Sequence, residues 1–304
     1  MSNVLEIRGV SKSYGNTNKA LDDVTIVIPK GNIHGIIGEN GAGKTTLIKA
    51  LVGIHTVDDG EVLFDGQHIY ENNKIKQRIG YVADQNQYFR GYKLKNLVEF
   101  YKDTYEKFEV EKFNNYNKVM GLDLNKKVKQ LSKGMKMRLS IMLTLSLNPD
   151  LLILDEPTSG LDVMAKQSVL EWVVEDVEQR EMTVLIASHH LAELEKLCDA
   201  ITIIEKGKIT HQADTEALKD EVCRIQVVFK DKAPVNLDSW EGVKEVKSIG
   251  SIYYIVTTTS YEEMKEMLEE VGTVIIEKIP LSLEEAFVCM HKGGKINNET
   301  INEA

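Results

Sequence analysis

Cysteine is scarce: Cys198, Cys223 and Cys289 stand far apart, with no Cys-x-x-Cys pair among them. That excludes a disulfide framework and a zinc knuckle, and it predicts three small buried side chains in a reducing compartment. Long apolar runs are missing too. No segment of the 304 residues reaches the roughly 18 consecutive apolar positions of a membrane-crossing helix. Met1 to Glu6 also lacks the basic-then-apolar order of a secretory signal. The sequence therefore reads as soluble and cytosolic. Basic charge falls short of acidic charge, with 37 Lys and Arg against 47 Asp and Glu, for a net −10. This is the wrong sign for holding nucleic acid by phosphate neutralisation, and no nucleic-acid partner is expected. Apolar residues, at 42%, are sufficient for the core of one large or two modest domains.

The first thirty residues alternate as strands do, with Val4, Ile7 and Val10, then Val24, Ile26 and Ile28, around the turn-rich stretch Tyr14 to Asn18. Ile33 to Ile37 is a short apolar run leading into glycines, followed by Thr45 to Val52, where Leu47, Ile48, Leu51 and Val52 share one helical face. Gly53 stands where a helix C-terminal glycine belongs. Residues 61–69 read as a hairpin turning at Asp65-Gly66. From roughly 90 to 147 the pattern becomes helical, with Phe100, Tyr101, Tyr105 and Phe108 at mixed three and four spacing, which predicts an inserted helical subdomain. Continuous apolar runs return at 151–154, 184–187 and 201–204, as expected of strands in a sheet covered on both faces. The fold class is α/β. Composition resets near 221. From there to 292 the pattern gives strands at 224–229, 243–249, 252–258 and 273–279, with helices opened by reciprocal caps Ser260/Glu263 and Ser282/Glu285. A small C-terminal α+β domain over 221–292 is expected, with 293–304 as a frayed tail.

Gly38-Glu39-Asn40-Gly41-Ala42-Gly43-Lys44-Thr45 matches G-x-x-x-x-G-K-[ST] between a predicted strand and helix. Glycines let backbone amides converge on phosphates, the helix N-terminus adds positive potential, Lys44 reaches the β and γ phosphates, and Thr45 can ligate Mg2+. Thr46 follows in the same turn, so Gly38, Asn40, Gly41, Ala42, Gly43, Lys44, Thr45 and Thr46 are the expected ATP contacts. The run 151–154 ends in Asp155-Glu156. Two adjacent acids divide naturally into a Mg2+ holder, Asp155, and a general base for attacking water, Glu156.

With these pieces in place the chain resembles the nucleotide-binding subunit of an ATP-binding cassette (ABC) transporter, of P-loop NTPase fold, over about residues 2–220. Leu131-Ser132-Lys133-Gly134-Met135 is similar to the family signature Leu-Ser-Gly-Gly-Gln, Ser159-Gly160-Leu161-Asp162 to its D-loop, and His189 falls at the switch-histidine position. Tyr14 takes the place of the aromatic that stacks on adenine. The resemblance implies that 1–220 is the ATPase domain, and that Ser132, Gly134 and Asp162 complete the ATP site of a second nucleotide-binding subunit, a homodimer being favoured. It also implies a catalytic part for His189 beside Glu156 and Lys44. Departures are Met135 for glutamine and Lys133 for glycine, which adds a cation near the composite site. In the Q-loop after Gly80-Tyr81-Val82, either Asp84 or Gln85 takes the metal-binding place of the usual glutamine.

Lys44 and Ser132 lie 88 residues apart, room for one helical insert and not for the long coiled coil of repair ATPases. One P-loop, not two, argues against the translation-factor branch. The residues from Val222 to Met290 are similar to the C-terminal extension of bacterial exporter ATPases handling drugs, antibiotics or peptides. The resulting expectation is an ATP-hydrolysing exporter motor, docked at the inner face of the membrane on separate integral membrane subunits through Tyr88-Phe89-Arg90-Gly91-Tyr92. The alternative is a soluble regulatory or immunity ABC ATPase with no membrane partner.

Overall fold

The strands β1 (Asn3–Tyr14) and β2 (Asn18–Pro29) pair antiparallel and are longer than alternation alone suggested, because the ladder runs on through polar positions to Tyr14 and Asn18. The structure is a computed structural model that describes residues 3–15, 18–85, 91–220 and 222–291. The chain continues through β3 (Ile33–Ile37), α1 (Lys44–Leu51), β4 (Asp59–Phe64), β5 (Gln67–His68), α2 (Asn73–Lys76) and β6 (Ile79–Val82). A helical stretch follows, α3 (Leu94–Thr104), α4 (Val110–Met120), a 3-10 turn at Val128–Gln130 and α5 (Lys133–Leu145). Then come β7 (Leu151–Asp155), α6 (Val163–Arg180), β8 (Thr183–Ser188), α7 (Leu191–Leu194), β9 (Ala200–Glu205), β10 (Lys208–Asp214) and α8 (Thr215–Asp220). The last elements are β11 (Cys223–Phe229), β12 (Val243–Ile249), β13 (Ile252–Thr257), α9 (Tyr261–Glu270), β14 (Thr273–Ile279) and α10 (Leu283–His291).

Among the described residues two compact units form, one from 3–190 with 197–212, the other from 191–196 with 213–291. The first unit holds two sheets. One is antiparallel, ordered β2-β1-β4-β5, and the other is six-stranded, ordered β10-β9-β3-β8-β7-β6. Pairing is parallel from β9 through β3, β8 and β7 to β6. Every residue of β3, β7 and β8 is buried, which is why 151–154 of β7 and 184–187 of β8 read as continuous apolar runs. Helix α1 contributes Leu47, Ile48 and Leu51 to a core shared with Leu5, Ile7, Ile26, Ile28 and Phe64 of one sheet and Ile36, Ile153 and Leu185 of the other. Each such side chain contributes about 1.5–3 kcal/mol by leaving water. This packing fixes the N-terminus of α1 at the carboxyl edge of β3 and β7, where the site is built.

Strand β6 had no clear periodic signal. It is only four residues long, and its Gly80 is crowded by Thr144 of α5 and by Pro149, so a side chain there would collide with the helical insert. Within the insert, Tyr101 stacks on Tyr105 at 5.4 Å and leans on Phe108 at 5.9 Å. Lys112 of α4 donates to Asn148 Oδ1 at 2.7 Å and to both oxygens of buried Asp176 on α6, at 2.8 and 2.9 Å. Arg180 also reaches Asp176, at 2.9 Å, so the buried carboxylate is paired with two cations, and the Lys112 contact ties the insert to α6.

The second unit is antiparallel, ordered β12-β13-β11-β14. Cys223, Ile225, Val227 and Phe229 alternate onto the face covered by Met264 and Leu268 of α9. The Ser282/Glu285 cap is fully reciprocal: Glu285 N–H donates to Ser282 Oγ (3.2 Å) and Ser282 N–H to Glu285 Oε2 (2.9 Å). At Ser260 only half of the expected box forms. Glu263 N–H donates to Ser260 Oγ at 3.3 Å, while the Glu263 carboxylate takes the Ser260 hydroxyl instead of its amide. All three cysteines are buried, and none is in a disulfide. No helix among the described residues is long and apolar enough to cross a membrane.

His34, on β3, is 2% exposed, and its Nε2 lies 2.8 Å from Thr202 Oγ1 on β9. Burial pushes its pKa down to about 4 from 6.5. The unfolded chain therefore binds a proton that the folded chain refuses, so the contribution is intact above pH 6.5 and is lost as pH falls toward 4. Urea denaturation at pH 7 and pH 4.5 should show about 2–3 kcal/mol of acid destabilisation from this residue. His34→Gln should reduce the pH slope by that amount; an unchanged slope would show that His34 titrates normally in the fold.

Candidate active site

The loop between β3 and α1 turns on Gly43, the N-cap of α1, at φ 115°. A Cβ there would lie 2.6 Å from the Ala20 carbonyl oxygen, so both the backbone angle and the close approach demand glycine. Lys44, buried at the first helical position, folds its ammonium under the loop, donating to Gly38 O at 2.5 Å and Glu39 O at 3.3 Å. Desolvation pulls its pKa below the usual lysine value, against the opposing pull of Glu156 and Asp155. One residue on, Thr45 Oγ1 donates to Asp155 Oδ2 across 3.3 Å.

Asp155 ends β7 and is 3% exposed. Burial raises its carboxyl above the ordinary aspartate value, partly offset by the Thr45 hydroxyl, with the charges of Glu156 and Asp84 pushing it further up. Tyr81, on the neighbouring strand, is pushed up to about 12 by burial and by Asp155 and Asp84. Glu156 is the first residue beyond the strand and adopts φ 51°, a left-handed backbone held by its N–H to Ala187 O at 2.9 Å. Strain of this kind in a non-glycine residue is kept where position matters. Its carboxylate accepts from Ser188 Oγ (3.4 Å) and lies 2.8 Å from His189 Nδ1. The tautomer with its proton on Nδ1 donates across this contact to the carboxylate.

These groups border a cavity of about 560 Å³, whose lining includes Tyr14, Glu39, Asn40, Gly41, Gly43, Lys44, Thr45, Thr46, Asp84, Asp155 and Glu156. Tyr14 stands at its edge, 43% exposed, edge-on to His55 with ring centroids 5.9 Å apart. Of the two Q-loop residues, Asp84 lines the cavity; Gln85 is exposed and is not part of the lining. Lys19, Ala20, Lys206 and Gly207 also line it and had no motif to announce them. Lys206 and Gly207 form the β9–β10 turn, both at positive φ; Gly207 lies close against the Ala20 backbone, and its carbonyl accepts from Asp22 N–H at 2.8 Å. Only the topology brings that turn beside β2.

Ser132, Gly134 and Asp162 do not line this cavity. Ser132 caps α5, accepting from Met135 N–H at 3.2 Å, and Asp162 caps α6, accepting from Ala165 N–H at 3.0 Å while pairing with Arg138. A Cβ on Gly134 would collide with the Gly160 carbonyl, so the signature glycine is required by the approach of its own chain's D-loop. Lys133 points back into its own chain, to Asp84 Oδ1 (2.9 Å) and Ser159 Oγ (2.8 Å). Tyr88, Phe89 and Arg90 of the expected docking surface lie outside the described residues; Tyr92 is exposed.

Among the described residues no three His, Cys, Asp or Glu side chains converge as a ready-made metal cluster. The Thr45 hydroxyl and Asp155 carboxylate do offer the hard oxygen donors that suit Mg2+ with phosphate oxygens completing its shell.

The chain is similar to known proteins over most of its length. The ABC transporter family matches residues 21–159. The ABC transporter ATP-binding protein YtrB of Bacillus subtilis (strain 168) is 36% identical over 293 residues, covering 96% of this chain and 99% of that protein. The lantibiotic transport ATP-binding protein SrtF of Streptococcus pyogenes is 33% identical over 232 residues, 75% of this chain and 100% of SrtF. A solved ATP-binding subunit of an ABC transporter superposes with a TM-score of 0.65 at 25% identity, covering 71% of this chain and 92% of that one. A Gly-x-x-x-x-Gly-Lys-Thr loop leading into α1, paired acids at the end of β7 and near end-to-end similarity to YtrB lead to one conclusion: the chain belongs to the ABC transporter ATP-binding proteins, the ATPase subunits of those transporters.

Proposed function

We propose that ATP binds in the cavity with its triphosphate on residues 38–46 and is hydrolysed with Glu156 as general base, to drive a bacterial exporter. The observation that carries the reading is the Glu156 carboxylate, fixed 2.8 Å from His189 Nδ1 and lining the same cavity as Lys44 and Thr45. In the step itself, a water oxygen attacks the γ phosphorus, its proton passes to a Glu156 oxygen, and the bond to the ADP oxygen breaks. Lys44 holds the β and γ oxygens, and His189 orients Glu156 through the shared proton. Mg2+, held by Thr45 and Asp155, would supply charge neutralisation on the phosphates. Tyr14 at the cavity rim would stack on the adenine.

Ser132 and Gly134, at the start of α5, stand outside the lining of this cavity, and their hydroxyl and amide would meet the γ-phosphate of a second copy, with Asp162 nearby. The working unit is then a homodimer with ATP at the seam, carried on separate integral membrane subunits at the inner face of the membrane. Export of a peptide, antibiotic or drug-like cargo draws support from the similarity to SrtF, named for lantibiotic transport. Ser132→Arg tests the seam. Light scattering with ATP should show dimers in the parent and monomers in the variant, with monomer ATP binding retained; equal dimer fractions would refute the shared site.

A further inference from the structure

Lys133, which departs from the family signature, and Asp84, one of the two candidates for the Q-loop place, are 49 residues apart and in direct contact. Lys133 begins α5, and Asp84 follows β6 on the cavity wall. The ammonium bridges two core segments, because Ser159 belongs to the turn leaving Glu156, its N–H donating to Glu156 O at 3.1 Å. The next residue, Gly134, meets the Gly160 carbonyl with no room for a side chain. The first turn of α5 is therefore seated on the segment that carries the general base.

The cavity's charge gives this contact its significance. Four carboxylates line it, Glu39, Asp84, Asp155 and Glu156, against Lys19, Lys44 and Lys206. Of those cations Lys19 is engaged with Asp22. A triphosphate entering such a cavity meets an excess of negative charge, and Asp84 already acts on Asp155 as a repulsive neighbour. Lys133 stands outside the lining and supplies the compensating cation from the helical insert.

We propose that Lys133 is a positioning residue for the ATPase reaction, cancelling the charge of Asp84 beside the triphosphate cavity and seating α5 on the turn after Glu156. It contacts no reacting atom; it acts through Asp84 and Ser159. The proposal rests on the reading that this cavity takes ATP. Because the pair is half exposed, at 53% and 34%, it adds little to folding, and its effect falls on ligand affinity.

The test is titration of ATP by calorimetry in EDTA, where any metal-ligand role of Asp84 is silent. Lys133→Met should weaken ATP binding about 3- to 10-fold at low salt, the span expected for one uncompensated charge near the cavity, and the loss should shrink as salt is raised. Lys133→Arg should bind as the parent does. Adding Asp84→Asn to Lys133→Met should return affinity to within about twofold of the parent, with thermal midpoints unchanged throughout. A double variant as weak as Lys133→Met, or a Lys133→Met that binds like the parent, overturns the proposal. Lys44→Ala in the same titration separates the two readings. If it binds normally, the cavity assignment itself falls; if it loses ATP while Lys133→Met does not, only the charge-cancelling role falls.

Discussion

Glu156→Gln should leave ATP binding intact and slow phosphate release by about 10² to 10⁴, the range for loss of a general base. The amide has nearly the carboxylate's shape, so the left-handed turn at 156 and its backbone N–H to Ala187 O are undisturbed, and the contact with His189 Nδ1 can persist through the amide oxygen. What disappears is the ability to take the water's proton. The substitution also removes one negative charge beside Asp155, whose carboxyl is held above its usual value by burial and in part by Glu156. Nucleotide affinity should consequently hold or rise. Steady-state phosphate release together with equilibrium ATP binding measures both halves. A variant that turns over at near the parent rate removes Glu156 from the role of base; one that no longer binds assigns it to the cradle instead.

What sequence could and could not disclose follows from the distance over which each feature is specified. The phosphate loop is contiguous, and its requirements, a glycine at φ 115° and a lysine at the first helical position, are met within eight residues, so spacing alone identified it. Strands β3, β7 and β8 are legible because burial on both faces leaves mostly apolar positions, with His34, Asp155, Thr183 and Ser188 as the polar ones. β6 escaped notice since four residues carry no period, and its glycine answers to Thr144 and Pro149, far along the chain. The ion pairs Lys133–Asp84 and Lys112–Asp176 are similarly invisible, as nothing local to either partner names the other. Lys133 is the instructive case. Read along the chain it is a cation added to the seam between subunits, whereas in the fold it is turned inward, onto the Q-loop acid and the D-loop serine of its own chain.

Lys44→Ala carries the other large effect, a loss of ATP affinity of at least about 100-fold. The ammonium is buried among the loop carbonyls of Gly38 and Glu39, with Asp155 and Glu156 as its nearest acting charges. Removing it deletes the cation that would meet the β and γ oxygens while leaving both acids in place, so attraction is replaced by repulsion at the same spot. Charge-assisted hydrogen bonds contribute about 1.5–3 kcal/mol each, and two of them exceed the roughly 2.7 kcal/mol that corresponds to 100-fold. Folding should suffer far less. Alanine is the better helix former at that position, the apolar face of Leu47, Ile48 and Leu51 is untouched, and of the two residues whose carbonyls the lysine releases, Glu39 lines the cavity, where water can satisfy it. Calorimetric titration with ATP, paired with a thermal melt, distinguishes these consequences. Full affinity in a folded variant would mean that the triphosphate does not sit on this loop, and Glu156 and His189 would then lose their substrate with it.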